Sequence, residues 1–147
     1  AKPSTLYDKF LARANGWTVP VTRPLFTFHL ITHVTGGGIV EKFAKDILFP
    51  RGFSALLKNL FTPPDIMRWV VSKRGMSDEE CYRTFNCGNG ALVVLDEKEV
   101  SSFIGMASAY GISAQVCGVI TEQREAPPTL EIHSGFSEKI LTYQKEH

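Results

Sequence analysis

His33-Val34-Thr35-Gly36-Gly37-Gly38, running into Ile39-Val40-Glu41-Lys42-Phe43-Ala44-Lys45-Asp46-Ile47, is the stretch on which the reading of this chain turns. Ahead of it, Phe26-Thr27-Phe28-His29-Leu30 alternates apolar and polar residues, as a half-buried strand does. After it, Ile39, Val40, Phe43, Ala44 and Ile47 recur at helical spacing and form one apolar stripe. Three glycines in a row between a strand and a helix lose much backbone entropy on folding, so they need a reason. A helix N-terminus directs unpaired N–H groups outward, and glycine lets an anion approach the backbone closely. On that reading Thr35–Gly38 binds a phosphate. The Thr35 hydroxyl is then an added donor, and His33 a charge-assisted donor or proton relay near neutral pH. On the other reading the stretch is a tight turn beside a core histidine. The spacing matches neither G-x-G-x-x-G nor G-x-x-x-x-G-K-[ST], so it leaves both readings open.

A second stretch, Tyr82-Arg83-Thr84-Phe85-Asn86-Cys87-Gly88-Asn89-Gly90, lies between a short helix and an apolar strand. Asn86, Gly88, Asn89 and Gly90 suit left-handed or turn conformations, which by itself describes a helix-to-strand turn. A functional reading places the Asn86 amide and the Arg83 guanidinium toward a polar ligand. Glu41 falls in the first turn after the glycines. The helix dipole stabilises a carboxylate there, and the same position can face a ligand amine or ribose hydroxyl.

The elements outside these stretches define the class. Strands are expected at about 26–34, 53–58, 90–95, 112–120 and 129–133, and Gly90-Ala91-Leu92-Val93-Val94-Leu95, apolar on both faces, reads as a central strand. Helices start at Thr62-Pro63-Pro64-Asp65, at Ser77-Asp78-Glu79-Glu80 with a capping box, and at Asp96-Glu97-Lys98-Glu99. Ile66, Trp69 and Val70 are expected to form a core stripe. The order of elements is not a strict βαβ alternation, so the class is α+β with a mixed sheet covered by helices. Residues 1–25 read as a connector, 26–120 as the domain core, and 121–147 as a tail with an extra strand and a helix after Ser137.

The chain has 147 residues, enough for one compact domain. A net charge of +1 gives no electrostatic case for nucleic acid or a membrane surface. No apolar run approaches the ~20 residues of a membrane helix, and the N-terminus shows no signal-peptide core. The chain starts at Ala1 without an initiator Met, as expected of a piece of a longer protein. Cys81, Cys87 and Cys117 are odd in number and fit no zinc spacing, so no metal ligands are assigned. They read as reduced packing residues of a cytoplasmic protein. His29, His133 and His147 have no partner legible in the sequence.

Both glycine-bearing stretches together resemble one family. His33–Lys42, "HVTGGGIVEK", is similar to H-I-T-G-G-G-x-x-E-N, and "YRTFNCGNGALVV" to Y-R-T-F-N-C-G-x-G-[MA]-[VIL]. "LYDK", residues 6–9, resembles part of a T-P-T-R-I-Y-x-K segment at the join between the family's two halves. The family is aminoimidazole ribonucleotide synthetase, or phosphoribosylformylglycinamidine cyclo-ligase. The resemblance spans roughly residues 2–120, and the Gly loop alone is shared with formylglycinamidine synthetase and selenophosphate synthetase.

The resemblance implies a C-terminal, three-layer α+β domain with a mixed sheet flanked by helices. It implies a reaction of purine biosynthesis in which ATP activates a formamide oxygen and an amine closes an imidazole ring. ATP and Mg2+ are then held mostly by an N-terminal half absent from this chain, with none bound tightly here. The expected partners are a phosphorylated small-molecule substrate and that missing half or a self-association partner. His33, Thr35, Gly36, Gly37, Gly38, Glu41, Arg83 and Asn86 are expected to line the phosphate and substrate cleft, and the chain alone is expected to be inactive.

Lys42 stands where the family has Asn, Phe43-Ala44-Lys45 where it has Ile-Pro-Arg, and Lys2 and Thr5 replace a Thr and an Arg of the linker motif. These departures keep two alternatives in view: a phosphate- or nucleotide-binding relative that has lost the reaction, and a structural or dimerisation domain.

Overall fold

The computed structural model describes residues 5–123 and 126–144. Lys2 and His147 lie outside the described residues. The chain divides into two compact units: residues 1–31 with 93–116, and residues 32–92 with 117–147. This division cuts across a connector at 1–25, a core at 26–120 and a tail. Residues 1–25 belong with 93–116, and the tail's strands belong to the sheet of the second unit.

The first unit is built on helix α1, Asp8–Ala14, and helix α4, Glu97–Ala109. Phe10, Ala14, Phe103 and Ala107 are buried together. Phe103 is the centre, with ring centroids of Phe10, Phe26 and Phe28 at 5.0, 5.4 and 6.0 Å. Tilted and edge-on aromatic pairs at these distances add to plain area burial. Asp96 does not cap α4 through its side chain. Its carboxylate is 2.7 Å from His29 Nε2, which gives His29 a partner and holds the Asp96 carboxyl below its ordinary range. Ile112 and Ala114, expected in a strand, pack against the aromatic cluster outside any strand.

Strands β1, Phe28–His33, and β3, Ala91–Leu95, form a two-stranded sheet. The central-strand reading of β3 is therefore corrected. Its apolar residues cover both faces because neighbouring side chains of a strand point to opposite sides. Leu92 is buried in one unit, while Val93 and Leu95 pack on the Phe103 cluster of the other.

The second unit carries the main sheet, in the order β4-β2-β5-β6. These strands are β2 Phe53–Leu57, β4 Gly118–Glu122, β5 Thr129–His133 and β6 Ile140–Gln144. β2 runs antiparallel to β4 and parallel to β5, and β5 antiparallel to β6, so the sheet is mixed. The helix expected after Ser137 is strand β6. Leu141 and Tyr143 are buried while Ile140, Thr142 and Gln144 are exposed, and that period of two fits a strand with one face covered.

Val40–Leu48 winds as a π-helix, in which the Phe49 N–H donates to the Ala44 carbonyl five residues back. It buries Val40, Phe43, Ala44 and Leu48 and packs against β2 and β5. Helix α2, Asp65–Arg74, begins after Pro64, and Thr62 does not cap it. Its expected core stripe is also corrected, since Ile66 and Trp69 are 66% and 59% exposed. Arg68 sets that orientation by donating to the carbonyls of Pro63 and Gly135, which turns Val71 inward. Helix α3, Asp78–Thr84, has the expected Ser77–Glu80 capping box.

Ile132 has no exposed surface in β5, whereas Ile140 at the start of β6 is 59% exposed. Ile132→Ala is expected to lower stability by about 2–5 kcal/mol and Ile140→Ala by less than about 0.5 kcal/mol. Urea unfolding of both variants checks this.

Candidate functional site

All eight candidate residues fall in the second unit. Thr35–Gly38 is a tight turn in which the Gly38 N–H donates to the Thr35 carbonyl at 3.0 Å. Gly37 occupies its third position with φ +91°, the conformation a type II turn requires there. Gly38 follows at φ +59°. A Cβ on Gly38 would lie 2.3 Å from the Tyr82 carbonyl oxygen and 2.6 Å from that of Phe85. A Cβ on Gly37 would lie 2.9 Å from the Glu41 Cβ.

Gly36 is different. It has no positive φ, and a Cβ there would meet nothing within 4 Å. Two of the three glycines are thus explained by the fold and one is not. The N–H groups of Gly36 and Gly37 have no protein acceptor among the described residues.

The residues around this turn are charged. Glu41 lies 3.1 Å from Lys45 Nζ and 3.7 Å from Arg83 Nη1. Lys42, one residue on, reaches Asp46 at 3.3 Å, and its Cε would stand 3.9 Å from a Cβ on Gly37. These pairs follow from helical spacing, since residues four apart share a face. Arg83 lies in the last turn of α3, with its guanidinium 5.0 Å above the Tyr143 ring. Glu41, in the first turn after the glycines, thus stands between two cations.

His33 ends β1 with an exposed side chain, so it is not a core histidine. The Val34 N–H donates to the Gly90 carbonyl at 2.9 Å, which ties the entry to the Gly turn to the end of the second motif. Asn86 is half-buried, and its side-chain oxygen accepts from the Gly88 N–H at 3.1 Å. That bond is the local turn expected of Asn. The left-handed residues of this loop are Cys87 and Gly88, at φ +50° and +86°, rather than Asn86, Asn89 or Gly90.

Asn89 is what holds the loop. It is 3% exposed, accepts from the Phe61 N–H at 2.9 Å and donates to the Cys87 carbonyl at 3.0 Å. In the sequence Asn89 reads as a turn residue and Lys45 is not assigned to the site. The four-residue spacing from Glu41 was the signal available for Lys45. Among the described residues no group of three or more His, Cys, Asp or Glu stands close enough to hold a metal ion.

With this geometry in place, similarity to known proteins defines the class. Residues 19–129 match the family of AIR synthase related protein, C-terminal domain, and the chain belongs to that family. It is also similar to the phosphoribosylformylglycinamidine cyclo-ligase of Geotalea daltonii, at 34% identity over 98 residues. That alignment covers 66% of this chain and 28% of the relative, so the chain spans less than a third of the relative's length.

Gly38→Ala is expected to destabilise the protein by more than about 2 kcal/mol, because a methyl group would collide with backbone and φ is positive. Gly36→Ala should stay within about 0.5 kcal/mol of the parent. Urea unfolding of the two variants side by side separates a structural glycine from one the fold does not require.

The cysteines are free, with Cys81 and Cys87 fully buried. Burial pushes the Cys81 thiol up to about 11 and the Cys87 thiol up to about 12, from an ordinary 9.0. A raised thiol pKa favours the folded state below the unfolded value, and that contribution is lost as pH rises through the folded value. Stability is therefore expected to hold up to about pH 9 and to fall between about 9 and 12, with a shallower fall in Cys87→Ala. At pH 8 neither buried thiol should react with iodoacetamide until the protein is unfolded.

Proposed function

We propose that Thr35–Gly38 binds the phosphate of a ribose phosphate substrate or nucleotide. In this reading the chain acts as the C-terminal domain of a longer, ATP-dependent cyclo-ligase-like enzyme of purine biosynthesis. The observation that carries the reading is Gly36, open above and beside two unpaired N–H groups, where a side chain would occupy the space an anion needs. Arg83 and Lys45, gathered by Glu41, supply the positive charge. His33 and Asn86 line the approach from the two segments joined by the Val34–Gly90 hydrogen bond.

The residues of this chain fit a phosphate group. ATP with Mg2+ is the proposed co-substrate of the longer enzyme, where it supplies phosphoryl transfer to the formamide oxygen. The work assigned to the residues here is to bind and orient an anion. Preorganised N–H donors do this without reorganisation when the anion arrives. A second reading, binding without turnover, is favoured by Lys42, which stands beside Gly37 where the family has an amide.

Titration with inorganic phosphate, ATP and ribose 5-phosphate, followed by NMR, tests the site. Shifts are expected at residues 33–41 and 83–90, with affinity about tenfold weaker in Gly36→Ala at unchanged stability. Absence of binding both in this chain and in the longer protein would overturn the proposal. Ring closure by the longer protein would remove the second reading.

A further inference from the structure

Residues 130–144 lie beyond the family match, which ends at 129, yet they are tied to the helix that presents Arg83. The Gly135 N–H donates to the Tyr82 hydroxyl at 2.8 Å. The hydroxyls of Ser134 and Ser137 donate to the Asp78 carboxylate at 2.5 and 2.6 Å. The Tyr143 hydroxyl donates to the Glu79 carbonyl at 3.3 Å. These bonds hold α3 along its length. A fifth connection acts on Arg83 itself: its guanidinium lies 5.0 Å from the centre of the Tyr143 ring, and Tyr143 is only 3% exposed.

We infer that Tyr143 is a positioning residue for Arg83: its buried ring fixes the guanidinium plane beside Glu41 and the Gly turn, so a segment outside the family match completes the anion site. This rests on the phosphate-binding reading above. The physical case is that Arg has a long, flexible stem whose rotamer freedom is lost when it grips an anion. Restricting that freedom beforehand strengthens binding. An aromatic face attracts the cation through its π-cloud. A ring face that holds the guanidinium carbon is not a hydrogen-bond acceptor for all five of its N–H groups, so it restrains the cation without consuming its donors. Glu41 restrains one edge at 3.7 Å while the ring restrains the face. The hydroxyl has a separate task at Glu79, so the ring and the hydroxyl are separable by substitution.

The test uses the whole chain, with Tyr143→Phe, Tyr143→Leu, Arg83→Met and the Tyr143→Leu/Arg83→Met double variant. The Arg83 Nε–H signal is expected to show a ring-current shift in the parent and in Tyr143→Phe, and to lose it in Tyr143→Leu. Affinity for inorganic phosphate should stay within about twofold in Tyr143→Phe and fall about three- to tenfold in Tyr143→Leu. The double variant should bind no more weakly than Arg83→Met alone.

An Arg83 signal without a ring-current shift in the parent overturns the inference, and does so even where Tyr143→Leu does not fold. Unchanged phosphate affinity in a folded Tyr143→Leu, or additive losses in the double variant, overturns it as well. Phosphate binding by neither this chain nor the longer protein, while Arg83 remains ring-shifted, overturns the site reading and leaves the positioning of Arg83 standing. Phosphate binding that survives loss of the ring overturns this inference and leaves the site reading standing.

Discussion

The approach of Gly38 to the carbonyl oxygens of Tyr82 and Phe85 is closer than any residue with a side chain permits. That contact joins the start of the π-helix to the C-terminal end of α3, two segments more than forty positions apart in sequence. It places Glu41, one turn into the first helix, opposite Arg83, near the end of the second. The Asn86–Gly90 loop then leaves α3 in a direction fixed by Asn89, and Gly90 returns to bond Val34 at the entry of the same turn. The two motifs are thus closed on each other by one steric contact and one backbone hydrogen bond. A methyl group on Gly38 would collide with the end of the helix that carries Arg83.

The charges follow from that closure and from helical spacing. Glu41 and Lys45, and Lys42 and Asp46, are four apart on the outward face of the π-helix, while Val40, Phe43, Ala44 and Leu48 face the sheet. Exposed pairs of this kind add little to stability. Their effect here is arrangement. Lys42 is neutralised on its own helix, whereas Glu41 has to share its carboxylate between Lys45 and Arg83. The carboxylate gathers two cations beside the Gly turn, the arrangement on which the phosphate-binding proposal draws.

What was legible in the sequence was local. The strand–Gly–helix order, the capping box at Ser77 and Glu80, and the α+β class all follow from propensity and periodicity within about ten residues. The readings that were corrected depended on distant partners. Ile66 and Trp69 have the spacing of a core stripe, but Arg68 anchors to carbonyls at Pro63 and Gly135 and rotates that face outward. β3 reads as a central strand because it is apolar on both faces, yet among the described residues it pairs with β1 in a two-stranded sheet. The segment after Ser137 reads as a helix by composition, yet the register with β5 selects its period of two. At the site, Gly36, Gly37 and Gly38 look equivalent in the sequence, and only the surroundings of each Cβ position separate them. Nothing near Arg83 in sequence points to Tyr143, sixty residues on.

That separation changes the meaning of the glycine run. A tight turn alone explains Gly37, and a close helix–turn contact alone explains Gly38. Neither requires anything of Gly36, whose conformation and surroundings would accept alanine. In an exposed turn where alanine fits, glycine raises the entropy of the unfolded chain and so lowers stability, with no compensating contact in the folded state. The phosphate-binding proposal accounts for such a residue by what comes near it. The groups in reach are unpaired N–H donors and two cations gathered on Glu41. On the phosphate-binding proposal both kinds of group favour negative charge, and a ligand small enough to sit against bare backbone while meeting a guanidinium at the side has the size and charge of a phosphate.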